Sequence, residues 1–297
     1  MSLAAETGVG PEPTPPVDVL APSRQTAPLV FASPHSGAAY PDSFVRRSQL
    51  SALALRRSED SFVDEVFADA PDHGAPLLRA LYPRAYVDPN REPYELDPEM
   101  FADTLPSWVN ARSPRVRGGL GTIARVVASG AEIYREKLSF AEAEQRITAC
   151  YRPYHDTLTD LVTATRDGFG HCLLVDCHSM PSVGGPLDAD SGRKRVDFIL
   201  GDRYGTSCGA AVTDRVEAAL VDLGYRVGRN LPYAGGFTTV HYGRPSTGLH
   251  ALQIEINRRL YMDEGRITRL PYIEKLRADI GDLIGVLAGF GAAELGA

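Results

Sequence analysis

Four places in the chain set reactive side chains at or just after the end of an apolar run. His35 follows "APLVFASP", Asp88 to Arg91 follow "RAYV", Asp176 and His178 lie at the end of "LLVDCHSM", and Glu255 lies late in "HALQIEIN". Strand ends in α/β proteins are where side chains leave the core and face a ligand. One such case is ordinary strand capping; four in one chain point to a shared site. Two imidazoles with one carboxylate suit a catalytic Zn²⁺ ion and leave a position open for water or substrate. His35 and His178 are the candidate imidazoles. The carboxylate must come from elsewhere, because the residue three after His35 is Ala38. The acidic segment "RRSEDSFVDE" offers Asp60 first and Asp64 second, one helical turn apart and so on one face. Taken without the histidines, those acids read as a solvated helix face.

A metal-activated water also needs a general base held near the metal but not bound to it. Glu255, between Ile254 and Ile256 in an apolar strand, suits that role, since a buried glutamate without a function is costly. In "DPNR", Arg91 can grip a carboxylate with its planar fork and Asn90 can add an amide donor; the plain alternative for Arg91 is a structural salt bridge. Arg84 and Arg125 are candidates for stabilising oxyanion charge, or else surface arginines. In "YAGGFTTVHYG", Gly235 and Gly236 permit close backbone approach to a ligand, and His241 and Tyr242 offer polar handles. Cys177 beside His178 is a poor thiol nucleophile, because neighbouring strand residues point to opposite faces.

The elements that must position these groups follow from the periodicity. "SQLSALALRRSEDSFVDEVFADA" has helical spacing, with its acids mid-helix. "APLLRALYPRAYVDPNR" reads as two strand-like pieces around Pro83. Residues 92–125 form a long loop region rich in Pro, Gly and Arg, and long loops inside compact domains are usually functional. "LSFAEAEQRITACYRPYHDTLTDLVTATRDG" is a long helix bent near Pro153. The strands "HCLLVDCHSM", "VDFILGD", "RVGRN" and "HALQIEINRRLYM" follow, with a helix over "TSCGAAVTDRVEAALVDLGY", a glycine-rich loop or hairpin over "LPYAGGFTTVHYGRPSTG", and a closing helix over "YIEKLRADIGDLIGVLAGFGA". Alternating strands and helices predict a mostly parallel or mixed sheet covered on both faces, as one α/β/α domain over residues 26–297 behind a loose N-terminal arm over 1–25.

Global properties limit the partners. The net charge of −7 and the lack of a Lys/Arg stripe argue against nucleic acid or anionic membrane, yet permit a local arginine pocket for a small anionic substrate. Four cysteines without CxxC spacing suggest neither a disulfide framework nor structural zinc. No apolar run approaches the roughly 18 residues of a membrane span. The N-terminus has acids and prolines where a signal peptide needs a basic start and an apolar centre, so the cytoplasm is the expected location.

Seven segments, "SPHSGAAYP", "RAYVDPNR", "GLGTIAR", "YRPYHDTL", "LLVDCHSMPS", "NLPYAGGFTTVHYG" and "QIEINRRLYM", together resemble the N-formylglutamate amidohydrolase family, in order from about Phe31 to Met262. That family is similar in turn to zinc carboxypeptidases and aspartoacylase-type deacylases. The resemblance implies a three-layer α/β/α fold with a mixed sheet, of the zinc-carboxypeptidase (phosphorylase/hydrolase-like) kind. It implies hydrolysis of an N-acyl amide, formyl above all, on glutamate or a similar acidic amino acid, with one Zn²⁺ or another divalent ion. Position by position it implies His35, His178 and Asp60 as metal ligands, with Asp64 or Glu59 as alternatives for the last. Glu255 matches the catalytic glutamate, Arg84 an arginine near the scissile carbonyl, and Asn90 with Arg91 the pair that holds a substrate carboxylate. Rival readings are a related deacylase or carboxypeptidase acting on another acyl group or a peptide end, and a carboxylate-binding protein without catalysis.

Overall fold

The apolar runs become strands where both faces can be buried. The computed structural model describes residues 15–186 and 188–296. In it Val17–Leu20 (β1), Leu29–Ser33 (β2), Leu77–Ala80 (β3), Cys172–Met180 (β4), Phe198–Gly201 (β5), Val227–Arg229 (β6) and Leu249–Asn257 (β7) form one sheet, in the order β1-β3-β2-β4-β7-β5-β6. β3, β2, β4 and β7 run parallel at the centre, whereas β1 is antiparallel to β3 and β5 antiparallel to β7. All nine residues of β4 are buried, as a central strand covered on both faces requires.

Strand alternation divides the core into two layers. Leu29, Phe31, Leu173, Val175, Cys177, Leu252, Ile254 and Ile256 face the helices Val63–Val66, Ala210–Asp222 and Ile273–Ala288. Val30, Ala32, Cys172, Leu174 and Ala251 face the helix Arg152–Phe169 and Tyr242. The architecture is thus three-layer α/β/α with a mixed sheet. Continuing the period of two, Asp176 and His178 share the face of Leu174, and Gln253 and Glu255 share the face of Ala251. Parallel register aligns His178 with Glu255 on the adjoining strand. Cys177 points the other way and its thiol contacts the Val175 carbonyl, as the alternation argument requires.

Four local expectations need correction. Within the expected arm, Val17–Leu20 is an ordered edge strand, registered from Val17 opposite Ala80 to Leu20 opposite Leu77; residues 1–14 lie outside the described residues. Its half-buried valines pack against the core, which a reading of the segment as Pro-rich tail overlooked. The single helix expected around Asp60 is instead two short ones, Ala52–Arg56 and Val63–Val66, separated by a turn in which Phe62 adopts a left-handed φ of 69°. The residues after Pro83 form turns, and only Leu77–Ala80 is a strand. The glycine-rich loop ends in the helix Phe237–Tyr242.

The long loop region folds back as a satellite core. Val87, Leu96, Phe101, Ile123 and Leu138 pack with Ile147 and Tyr151. The expected long helix is interrupted by a π-turn, Ile147–Tyr151, immediately before the helix Arg152–Phe169. Pro153 has no N–H to continue the ladder, so the backbone widens just ahead of it. Among the described residues, no helix is long and apolar enough to cross a membrane.

Candidate metal and substrate site

The ends of β2, β4 and β7 converge on a cavity of about 460 Å³, lined by His35, Asp60, Arg84, Arg91, His178 and Glu255 among others. His35 arrives on the turn after β2, and its carbonyl accepts the Asp60 N–H at 3.0 Å. That bond fixes the break between the two short helices and turns Asp60 inward. The three side chains offer ligand atoms all within 4.8 Å of one another, so this buried group could hold a metal ion. Asp60 Oδ2 lies 3.0 Å from His178 Nδ1 and 3.3 Å from His35 Nδ1.

Both rings are aimed by a carboxylate behind them. Asp88 Oδ1 is 2.7 Å from His35 Nε2, and Asp176 Oδ2 is 3.0 Å from His178 Nε2. With an ion at the centre, each Nε2 would donate to the carboxylate behind it and each Nδ1 would turn its lone pair inward; with no ion there, burial of His178 is outweighed by Asp176 and Asp60, which raise its pKa well above the usual value. His35 Nδ1 is buried and, apart from its 3.3 Å approach to Asp60, has no hydrogen-bond partner among the described residues, as expected of an atom whose partner is an ion. Burial alone would raise the Asp60 pKa, but His178 and His35 outweigh it and hold the carboxyl well below its usual range. Asp88 is held low in the same way, against burial, by Arg84, His35 and Arg91. Two Nδ1 atoms, one carboxylate oxygen and an open cavity side fit a divalent cation of the zinc type.

The competing acids are engaged elsewhere. Glu59 accepts from Tyr40, Arg56 and Ser61. Asp64 pairs with Arg79 at 3.4 Å and lines a separate recess. The expected shared face of Asp60 and Asp64 does not exist, because the helix is broken between them.

Glu255 is buried beside the cluster and accepts from Gln253 Nε2 at 2.9 Å. Burial, opposed by the His178 charge and supported by Asp60, pushes its pKa up to about 7. Arg84 lines the cavity with one guanidinium nitrogen 2.7 Å from Asp88. Arg91 lines it too, donating from Nε to the Leu120 carbonyl and from one terminal nitrogen to the Asn90 carbonyl, both at 2.9 Å, with Nε also 3.8 Å from Asp88; only its second terminal nitrogen has no partner among the described residues. Burial, opposed by Asp88 and helped by Arg84 and Arg115, pulls its pKa down to about 10.

Other expected substrate contacts fall differently. Asn90 borders the cavity, but its amide is engaged: Nδ2 donates to Asp176 at 3.2 Å and Oδ1 accepts from Thr238 N–H at 2.9 Å. Gly236 is glycine because a Cβ there would overlap the Asn90 side chain, and Gly235, at φ 123°, would meet Thr239 and Arg203. Both glycines line the cavity, but their close approach is to protein. Arg125 does not line it; it is paired with Asp97 at 2.8 Å and Glu132 at 2.9 Å. His241 is exposed on the helix Phe237–Tyr242 and stacks on Phe237 at 4.9 Å, away from the cavity. Tyr242 turns inward to His155.

The N-formylglutamate amidohydrolase family model matches residues 27–262, most of the chain. The chain belongs to this family. It is 30% identical over 281 residues to the N-formylglutamate deformylase of Pseudomonas aeruginosa, covering 92% of this chain and 97% of that protein. It is likewise 30% identical to the N-formylglutamate deformylase of Pseudomonas putida, covering 80% of this chain and 82% of the other. Among solved structures, the N-formylglutamate amidohydrolase of Ralstonia eutropha JMP134 superposes with a TM-score of 0.85 and 37% identity, covering 93% of this chain and 98% of that one.

Within this member of the N-formylglutamate amidohydrolase family, sequence reasoning left the residues behind the site without roles. Asp176 was singled out at its strand end but given no partner, and Gln253 was missed, although it precedes Glu255 by two in a strand, so period-two spacing was the available signal. Asp88 was noted without a partner, because its contact with His35 spans 53 positions. Arg258 had no signal at all. It binds Asp60 Oδ1 at 2.9 Å, Ser179 Oγ at 3.1 Å and the Arg57 carbonyl at 3.3 Å, and so fixes which Asp60 oxygen faces the histidines.

Proposed function

We propose that this chain is a metal-dependent amidohydrolase that cleaves the formyl amide of N-formylglutamate to formate and glutamate. The observation that carries the reading is the buried His35–Asp60–His178 group beside Glu255 in a cavity lined by arginines. The names of the Pseudomonas relatives supply the substrate. A zinc ion held by His35 Nδ1, His178 Nδ1 and Asp60 would supply Lewis acidity and a lowered water pKa.

The chain's own residues account for the remaining chemistry. Glu255 takes a proton from the attacking water as the new C–O bond forms at the formyl carbon. It returns that proton to the amide nitrogen as the C–N bond breaks. Arg84, steadied by Asp88, lies beside the cavity to stabilise the developing oxyanion. The remaining terminal nitrogen of Arg91 binds a substrate carboxylate. Asn90, assigned to the substrate on sequence, acts in this reading as a brace for Asp176 and the helix Phe237–Tyr242.

Formate release from N-formylglutamate, measured with the metal content of the purified protein, tests the proposal. Turnover should require about one equivalent of divalent metal, and His178→Ala should lose both metal and turnover. Full activity in a thoroughly chelated sample would overturn the metal role, and absence of formate release from metal-replete protein would overturn the reaction.

A further inference from the structure

Glu255 is the least secured carboxylate of the site. Asp60 is held by His178 and Arg258, and Asp88 by His35, Arg84 and the Asn90 N–H. The Glu255 side chain, by contrast, has one hydrogen-bond partner among the described residues, Gln253 Nε2, which donates to Oε1 at 2.9 Å. The dependence is mutual. Gln253 is 4% exposed in an apolar strand, and among the described residues its side-chain amide bonds to Glu255 alone. Burying an amide is unfavourable unless a partner offsets it, and an aliphatic side chain would fill the same sheet face without that penalty.

The sheet limits where this amide can go. Gln253 stands in register with Asp176 on β4 and with Gly201 on β5, so the three positions share one face. A Cβ at Gly201 would lie 2.8 Å from the Ala234 carbonyl carbon and 2.9 Å from the Gly235 nitrogen. The Ala234–Gly235 peptide therefore lies on that face on one side of Gln253, and Asp176 flanks it on the other. The direction left open runs along β7 toward Glu255. Residues two apart in a strand are separated by roughly 6.6 Å, a gap that a glutamine leaning along the strand can close. Asparagine, one methylene shorter, holds its amide back toward the backbone.

We propose that Gln253 is a positioning residue for the general base: by holding Oε1 of Glu255, it turns Oε2 toward the water that attacks the formyl carbon. The inference rests on the proposed reading of Glu255 as that base, and Gln253 acts through Glu255 rather than on the reacting atoms. The terminal torsion of a glutamate is broad and two-fold, so a carboxylate without this bond rotates away from any one orientation. Proton transfer needs an oxygen within hydrogen-bond reach of the water. A misplacement of about 1 Å at a reacting centre can lower the rate about 100-fold.

Two substitutions separate the amide from its reach. Gln253→Met keeps the length and removes the donor, whereas Gln253→Asn keeps the donor and shortens the side chain. Both are expected to hold metal as the parent does and to keep KM within about twofold, while kcat for formate release from N-formylglutamate falls roughly 10–100-fold. A lower melting temperature with kcat unchanged would show a packing role only and overturn the proposal. In the Glu255→Gln background, Gln253→Met should lower kcat less than about twofold, because the group it acts through is already gone. Losses that multiply in the double variant would place the action of Gln253 elsewhere and overturn it too. Circular dichroism checks each fold, and either single variant suffices. The bond itself is read without substrate or metal, from the infrared carboxylate band at pH 9 that is missing in Glu255→Gln. That band should shift in both Gln253 variants, and an unshifted band overturns the role. If the band shifts but metal-replete parent releases no formate, the proposed reaction falls and Gln253 stands as the group that orients Glu255.

Discussion

Glu255 and Arg258 lie three residues apart at the end of one strand, yet they should fail in different ways when replaced. Glu255→Gln keeps the shape of the side chain and its bond to Gln253 but removes its basicity. The variant is expected to fold and to retain metal as the parent does, with kcat lowered roughly 10²–10⁴-fold. Metal content and single-turnover kinetics check this; an emptied metal site would mean that Glu255 is a ligand. Arg258→Gln removes the partner of a buried carboxylate. Breaking such a pair costs about 3–5 kcal/mol, because the remaining charge stays buried. The expected result is a large loss of stability in denaturant melts of metal-free protein, together with weaker metal binding, since Asp60 would no longer be held with one oxygen toward the histidines.

At the scale of elements, the helix Arg152–Phe169 and the π-turn before it hold the loop that carries Asp88 and Arg91. Tyr151 in the π-turn donates to the Arg91 carbonyl at 2.8 Å, and His155, one turn on, lies 2.8 Å from the Pro89 carbonyl and 2.9 Å from the Tyr242 hydroxyl. Burial lowers the His155 pKa from 6.5 to about 4, partly opposed by its bond to Pro89. The titratable groups around it are Tyr151, Tyr154, His241 and Tyr242 on contact, with Asp156 and Asp176 nearby. In the window between about 4 and 6.5 the unfolded chain binds a proton that the folded chain does not, so stability rises with pH. This contribution is fully present above the unfolded value and is lost as pH falls toward 4. It amounts to about 3 kcal/mol at 1.36 kcal/mol per pKa unit. Urea melts of the parent and His155→Gln across pH 4–7 should differ in slope by that component; equal slopes would place the neutral histidine elsewhere in the balance. Gly236→Ala tests the neighbouring helix. Its Cβ must displace the Asn90 amide, so a loss of about 1–3 kcal/mol is expected, with kcat/KM falling at least tenfold as Asp176 loses its brace.

For the molecule as a whole, the site joins segments far apart in the chain, and an ion there would tie three of them together. Metal binding only to the folded state should raise stability by about 2.7 kcal/mol at one hundred times Kd, a shift in melting temperature of about 5 °C for a protein of this size. Calorimetric scans with and without Zn²⁺ check this, and His178→Ala should show no shift. An equal shift in that variant would mean that the stabilising ion binds elsewhere.

The sequence by itself determined the strands that carry the chemistry, because buried central strands need continuous apolar runs and His178 and Glu255 stand at the ends of two of them. It also indicated the family and the pair of histidines. Tertiary structure decided which acid joins them. Asp60, Asp64 and Glu59 are chemically alike and nearly adjacent, and only the helix break held by the His35 carbonyl, with Arg79 and Arg56 engaging the other two, separates them. It also separated Arg125, bound to Asp97 and Glu132, from Arg115 and Arg203, for which the described residues provide no ion pair. An arginine's type and neighbours do not reveal whether a carboxylate elsewhere in the chain has already neutralised it. That depends on long-range packing, which brings Asp88 to His35 and Asp60 to Arg258 across 53 and 198 positions.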